Sequence, residues 1–455
     1  MIASINPATG LKVREFFPLS DQDLSLRLSR AQQAARIWRN VPLDRRARIV
    51  RRMGDLLLER QELYASLMTV EMGKPIKAAR EEAVKCADAC HYFADNAERF
   101  LAPELVAMTG ETARVEFHPI GVVLAVMPWN FPFWQVIRFA APTLCAGNAA
   151  LLKHASNVPQ CSLAIEQLVK DAGAPENVFQ SLLVGSDAVD RIIADPRVAA
   201  VTLTGSNAAG EAVGARAGRS IKKSVLELGG SDPFIVMRTA DLVAAVQTAV
   251  KARSINNGQS CIAAKRFIVA TEIHDAFIDE FVAGMRALVV GDPALETTQI
   301  GPLATKAIRD ELHSQVERSI AGGARLLLGG QPRDGKGWFY EPTVIAYAPP
   351  DSPVLREETF GPVAVVVRAS DAADAVRIAN DSRFGLGAAV WTRDAAEARL
   401  FATEIEAGTV VINGMVASDS RLPFGGVKQS GYGRELSAFG LREFVNIKTI
   451  RGLPA

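Results

Sequence analysis

Apolar residues recur at helical spacing through the first hundred positions and then gather into short, strand-like runs. Between residues 21 and 101 they fall at i, i+3 and i+4 through Ala31 to Trp38, Ile49 to Leu58 and Tyr64 to Val70, which predicts helices packed on one face. From Gly121 the pattern changes. Runs at Gly121 to Met127, Ala149 to Leu152, Val198 to Thr204 and Ser224 to Leu228 alternate with helical stretches at Val158 to Ala172 and Ser186 to Ala194. That alternation predicts βαβ units and a parallel sheet. It repeats beyond Cys261, with strand candidates Arg266 to Ala270, Ala324 to Leu328, Val363 to Arg368 and Ala388 to Trp391, so a second α/β domain is expected. Thr112 to His118 and Phe444 to Ile450 are strand-like but belong to neither alternation. Such strands pair with each other or with a partner subunit, and an exposed edge of this kind invites assembly.

A chain of 455 residues that is 49% hydrophobic has enough apolar material for two or three domains around large cores. Its 51 basic and 50 acidic residues leave a net charge of +1, so no global field draws in nucleic acid or an anionic membrane. The local basic run Arg45, Arg46, Arg48, Arg51 and Arg52 surrounds Ile49, Val50 and Met53 at helical spacing and reads as a solvated helix face. No apolar run approaches the roughly 18 residues that a bilayer span needs. Met1-Ile2-Ala3-Ser4 opens no signal-like pattern, so a cytoplasmic location is expected. The five cysteines are too scattered for a disulfide framework. Cys86 and Cys90 stand i, i+4 beside His91, but no second pair completes a metal site, and a core position is expected.

Two features carry chemistry. Asn256-Asn257-Gly258-Gln259-Ser260-Cys261 puts a cysteine in a polar, glycine-containing loop, where a thiol serves reactivity better than packing. Val225-Leu226-Glu227-Leu228-Gly229-Gly230 sets one carboxylate in an apolar and glycine run, where desolvation raises its pKa toward that of a general base. A third feature is weaker. The run Val198 to Thr204 enters Gly205-Ser206-Asn207-Ala208-Ala209-Gly210 and then a helix, which suits a phosphate at the helix N-terminus but lacks the middle glycine of G-x-G-x-x-G.

These stand in order with Pro128-Trp129-Asn130-Phe131-Pro132, Leu152-Lys153-His154-Ala155-Ser156, Glu357-Glu358-Thr359-Phe360-Gly361-Pro362 and Pro423 to Gly431. Together they resemble the aldehyde dehydrogenase superfamily over essentially the whole chain. Asn130 and Lys153 are 23 residues apart, Glu227 and Cys261 34, Cys261 and Glu358 97. The resemblance implies an α/β fold: a Rossmann-like cofactor domain (1–101 and 120–228), a second α/β catalytic domain (229–430) and a small β oligomerisation element (102–119 and 431–455), assembled as a homodimer or homotetramer. It also implies that Cys261 attacks an aldehyde, that Asn130 and the Cys261 N–H hold the oxyanion, and that Glu227 activates the water that hydrolyses the thioester. Trp129, Lys153, His154, Ala155, Ser156, Gly205, Ser206, Leu228, Glu358 and Phe360 take the cofactor positions.

The family often carries glutamate at the position of Ser156, where it accepts from the ribose hydroxyls of NAD. A neutral serine removes its repulsion of a 2′-phosphate and leaves Lys153 unopposed, so NADP is expected to be preferred, with NAD still accepted. Arg138, eight residues after Asn130, is similar to the arginine that binds the distal carboxylate in succinate-semialdehyde dehydrogenases, and guanidinium suits a carboxylate. Ser418 resembles a serine that assists it, and Trp134 lies on the same segment. One departure stands out: a further arginine six residues before the nucleophile in that group is Ile255 here, and Arg253 is out of register. The expected substrate is succinate semialdehyde. Glutarate semialdehyde and uncharged aldehydes stay open, as does the reading of Arg138 as a structural ion-pair partner. A cysteine-dependent acyl hydrolase or transferase usually needs a histidine base, and none of the five histidines sits in such a context. A CoA-acylating dehydrogenase is disfavoured by Glu227, which favours water as the acceptor.

Overall fold

The computed structural model describes residues 1–109 and 111–452. The helical stripe of the first hundred residues becomes four helices, Asp21–Trp38, Leu43–Glu59, Gln61–Met72 and Ile76–Leu101. Trp38, Val50, Met53, Leu57, Tyr64, Met68 and Phe93 turn inward from them and are fully buried or nearly so. The basic run divides. Arg48 and Arg52 pair with acids on the solvent side, but Arg46 is buried and donates to the carbonyls of Cys145 (3.0 Å) and Val41 (2.6 Å). Cys86 and Cys90 are core residues.

The first sheet has the order Gly431–Tyr432, Lys223–Glu227, Ala200–Thr204, Val122–Met127, Ala149–His154, Phe179–Ser181, parallel except for its first strand. From Val122–Met127 the chain builds outward in one direction, then crosses back to lay Ala200–Thr204 on its other side. That reversal opens a crevice beyond the carboxyl ends of these two strands, where α/β sheets bind ligands. Asn130 follows one strand and Gly205 the other.

The second sheet runs Arg325–Leu328, Thr343–Ala346, Val363–Ala369, Arg266–Ala270, Pro233–Val236, Gly387–Trp391, Thr409–Ile412, parallel except at its first strand. It therefore begins before Cys261, not after it. Pro233–Val236 is only four residues long and gives too short an apolar run to stand out. The Cys261 loop thus lies in the link between two neighbouring strands of this sheet.

The two leftover strands pair with each other. Val445–Arg451 runs antiparallel to Glu111–Pro119, with Val445 opposite Pro119 and Arg451 opposite Ala113, and Glu104–Met108 joins on the far side. One expected boundary needs correcting: Gly431–Tyr432 does not join this three-stranded sheet but adds to the first sheet against Leu226 and Glu227. An N-terminal hairpin, Ile2–Asn6 with Leu11–Phe16, was not expected, because the second strand is exposed except at Phe16 and shows no alternation.

Candidate active site

Helix Leu242–Ser254 ends just before the loop, and Asn256, Asn257 and Gly258 then take φ of 55°, 59° and 74°. Three consecutive left-handed residues are unfavourable, and the two asparagines are the non-glycine type that best tolerates them. Their side chains also fix the loop. Asn256 Nδ2 donates to the carbonyls of Asn130 (2.7 Å) and Gln259 (2.9 Å). Asn257 Nδ2 donates to the carbonyls of Gly73 (3.0 Å) and Pro302 (3.1 Å), and its Oδ1 accepts from Gly301 N (2.8 Å). Gly258 has no room for a side chain, since a Cβ there would collide with the Gly361 carbonyl. Two buried cations complete the clamp. Arg253 donates to the carbonyls of Gly258 (2.6 Å) and Val363 (3.2 Å), and Lys265 Nζ to those of Ser260 (3.0 Å), Cys261 (2.8 Å) and Ala263 (3.1 Å).

Cys261 emerges from this clamp half-buried at the end of a cleft. Burial pushes its thiol up to about 12, against the opposing pull of Arg138. The resting sulfur is therefore a thiol and needs a base. Asn130 is buried beside it; its Nδ2 donates to the Gln259 carbonyl at 3.1 Å, and its second amide hydrogen is uncommitted.

The Asn130 turn is itself held from below. Glu82, buried and ion-paired with Lys74, accepts from the backbone N–H groups of Phe133 and Trp134 (both 2.9 Å), anchoring the start of helix Trp134–Cys145. Lys74 also lies 4.0 Å from the ring centroid of Phe131.

Glu227 ends the strand Lys223–Glu227 and is 2% exposed, and neither carboxyl oxygen has a hydrogen-bond partner. Desolvation, reinforced by the neighbouring charge of Glu435, raises its pKa well above the usual range. Its Oε1 lies 2.7 Å from where a Cβ on Gly425 would stand, so only glycine leaves it space. The segment that supplies Gly425 is stitched to this strand through Leu228 N to the Ser430 carbonyl (2.9 Å) and Ser430 Oγ to the Gly229 carbonyl (2.7 Å).

The cleft has a volume of about 660 Å³ and brings together Trp129, Asn130, Gly205, Ser206, Leu228, Cys261, Glu358 and Phe360. Trp129 and Phe360 meet edge to face, with centroids 5.7 Å apart. Ser206 caps helix Asn207–Arg219, leaving first-turn N–H groups at the cleft for an anion. Glu358 Oε1 accepts from Gly230 N at 3.0 Å, and a Cβ on Gly229 would strike the same carboxylate. A cleft of this size, lined by an aromatic pair, a carboxylate, a cysteine and a helix N-terminus, fits a dinucleotide.

Lys153, His154, Ala155 and Ser156 lie one strand over, at the carboxyl end of Ala149–His154, where Lys153 pairs in register with Val126. Ser156 is exposed and Lys153 is buried; burial lowers the Lys153 pKa, with the charge of Asp187 opposing. His154 does something else. Burial takes it down to about 4, so it is neutral, accepting from Ala155 N (3.0 Å) at Nδ1 and donating from Nε2 to the Pro132 carbonyl (2.9 Å).

The sequence profile of the Aldehyde dehydrogenase family matches residues 1–450. The chain belongs to the aldehyde dehydrogenase family. It is 54% identical over 454 residues to a protein of Mycolicibacterium paratuberculosis named succinate-semialdehyde dehydrogenase [NADP(+)], covering 99% of this chain and 96% of that one. A Mycobacterium tuberculosis protein named succinate-semialdehyde dehydrogenase [NADP(+)] 1 is 55% identical over 452 residues, covering 99% of each. Among solved structures, succinic semialdehyde dehydrogenase from Streptococcus pyogenes in complex with NADP+ superposes with a TM-score of 0.97 at 36% identity, covering 99% of both chains.

In this aldehyde dehydrogenase Arg138, Trp134 and Ser418 are all buried, and the charge of Arg138 acts on Cys261. Arg138 is not free there: it is ion-paired with Glu435, donates to Thr204 Oγ1 (3.2 Å) and stacks over Phe424. Sequence reasoning missed Glu435, Lys85 and Lys265. Their partners are distant in the chain or are backbone carbonyls, and no local pattern marks either. Among the described residues no helix is long and apolar enough to cross a membrane.

Proposed function

We propose that this aldehyde dehydrogenase oxidises succinate semialdehyde to succinate, using NADP in preference to NAD. Cys261 Sγ adds to the aldehyde carbon while its proton passes toward Glu227. The oxyanion of the thiohemiacetal is held by Asn130 Nδ2 and the Cys261 N–H, donors whose loss singly costs about 10²- to 10³-fold in rate. A nicotinamide held in the cleft would supply the acceptor for the hydride that leaves the thiohemiacetal. Glu227 then takes a proton from the water that hydrolyses the Cys261 thioester. Trp129, Gly205, Ser206, Leu228, Glu358 and Phe360 hold the cofactor in the cleft, and Lys153 and Ser156 receive its adenosine end. Arg138, Trp134 and Ser418 form the end of the site that takes the distal carboxylate.

The observation that carries the reaction is Cys261 at the foot of a dinucleotide-sized cleft, beside the Asn130 amide. The names of the relatives support the substrate and the cofactor. The pairing of Arg138 with Glu435 favours a second reading, broad specificity toward uncharged aldehydes. Initial rates of NADPH formation with succinate semialdehyde and with butanal decide between them. An advantage of tens-fold or more for the semialdehyde supports the first reading, and equal rates support the second. Repeating the assay with NAD tests the cofactor preference, and a strong preference for NAD overturns it.

A further inference from the structure

The cation expected to grip a distal carboxylate is already engaged, since Arg138 is divided between Glu435 and Thr204. The position where a second arginine would stand is Ile255. Another cation occupies the same neighbourhood. Lys85, on helix Ile76–Leu101, donates from Nζ to Ser418 Oγ at 2.8 Å, and Nζ lies 4.4 Å from the Trp134 ring centroid. Among the described residues no carboxylate is ion-paired with it: Glu82 and Asp419, whose charges act on it, are paired with Lys74 and Arg421, and Glu81 and Asp88 line the depression beside it without reaching it. A partly buried ammonium with only a hydroxyl and a ring face for company gains from an incoming anion. Lys85 is half-buried and borders a surface depression with Gln61, Lys77, Arg80, Glu81, Val84 and Asp88, so it is open to solutes. Burial, and after it the repulsion of Arg138, brings its pKa down to about 8, with Cys86, Glu82 and Asp419 opposing.

We propose that Lys85 Nζ is the direct ligand of the substrate's distal carboxylate, with Ser418 Oγ as the second donor and the Trp134 ring as the wall. The inference rests on the semialdehyde reading above. Ser418 now accepts from Lys85, which leaves its own O–H free to turn toward the anion. Arg138 adds positive field without giving up Glu435. The ammonium thereby does the work of the missing arginine from a different helix.

The test measures kcat and KM for succinate semialdehyde and for butanal, with NADP, on the full-length wild type, Lys85→Met and Lys85→Arg, with a thermal melt of each. The expected result for Lys85→Met is a KM for the semialdehyde higher by about 10- to 100-fold, a selectivity ratio over butanal lower by a similar factor, and a smaller change in kcat. Lys85→Arg recovers most of the ratio. In the wild type the semialdehyde KM rises above about pH 8 as the ammonium is lost, and Lys85→Arg removes that rise. A selectivity ratio unchanged in Lys85→Met overturns the proposal, whether both aldehydes fall together or neither changes. If the wild type itself does not distinguish the two aldehydes, the semialdehyde reading fails first. If it does, and only Arg138→Ala erases the difference, the reading stands and Lys85 is excluded.

Discussion

Arg138 is ion-paired with Glu435, 2% and 6% exposed, and both act electrostatically on Glu227. The same arginine lowers the pKa of Cys261 and of Glu227, whereas Glu435 raises that of Glu227. The pair is thus a local setting of the electrostatics around Cys261 and Glu227. It stands in a water-poor pocket where such charges are weakly screened.

Replacing Glu435 by Gln removes the negative neighbour and leaves Arg138 to act on Glu227 alone. The Glu227 pKa then falls, and the acid limb of the pH profile of kcat moves to lower pH. Stability drops as well, by about 3 kcal/mol, because a buried cation loses its counter-ion. Steady-state rates across pH 5 to 9 and chemical denaturation measure the two effects; an acid limb that stays put or moves up refutes the coupling.

Glu227 holds its buried, unpartnered carboxyl at a cost in stability. Its folded pKa is raised, so between the unfolded value near 4.5 and the folded one the unfolded chain ionises while the native carboxyl stays protonated. Native stability falls through that window by about 1.4 kcal/mol per pH unit. Glu227→Gln lacks this loss, so it is inactive in thioester hydrolysis yet more stable than the wild type at pH 8, with little difference at pH 4. Urea unfolding midpoints at the two pH values read this directly.

The thiol of Cys261, pushed up to about 12, makes the resting enzyme slow to alkylate at neutral pH. The rate with iodoacetamide is expected to climb with pH and show no plateau below about pH 10, because the thiolate is the nucleophile. Cys86, Cys90, Cys145 and Cys161 are fully buried with raised pKa values of their own, so mass spectrometry should find the label on Cys261. A plateau near neutrality points to a thiolate already formed.

The cofactor reading yields a charge test at Ser156. This side chain is exposed, so a carboxylate placed there repels a 2′-phosphate by about 1–3 kcal/mol after screening. Ser156→Glu is expected to lower kcat/KM with NADP by about 10- to 100-fold and to change that with NAD by only a few-fold. Equal losses with both cofactors place the adenosine end elsewhere.

The amino-acid sequence by itself determined the chemical parts and the sheet-forming pattern. Apolar periodicity placed the strands Val122–Met127 and Arg266–Ala270 within a residue or so, and a cysteine in a polar loop and a glutamate in an apolar run stood out as candidates for chemistry, because these are local properties of the chain. The short strand Pro233–Val236 and the exposed hairpin strand Leu11–Phe16 were hidden, since neither carries enough local pattern. Only the tertiary structure decided what each side chain is paired with. Asn256 and Asn257 became the clamp of the loop, Arg253 the tie to Gly258, and His154 a neutral brace of the Pro132 turn. Arg138 acquired Glu435, 297 residues away, and Lys85 was left with Ser418 and, among the described residues, no ion-paired acid. The reason is physical: a charge buried in a protein takes its meaning from the counter-charge and the dielectric around it, and both are set by packing between segments far apart in the chain.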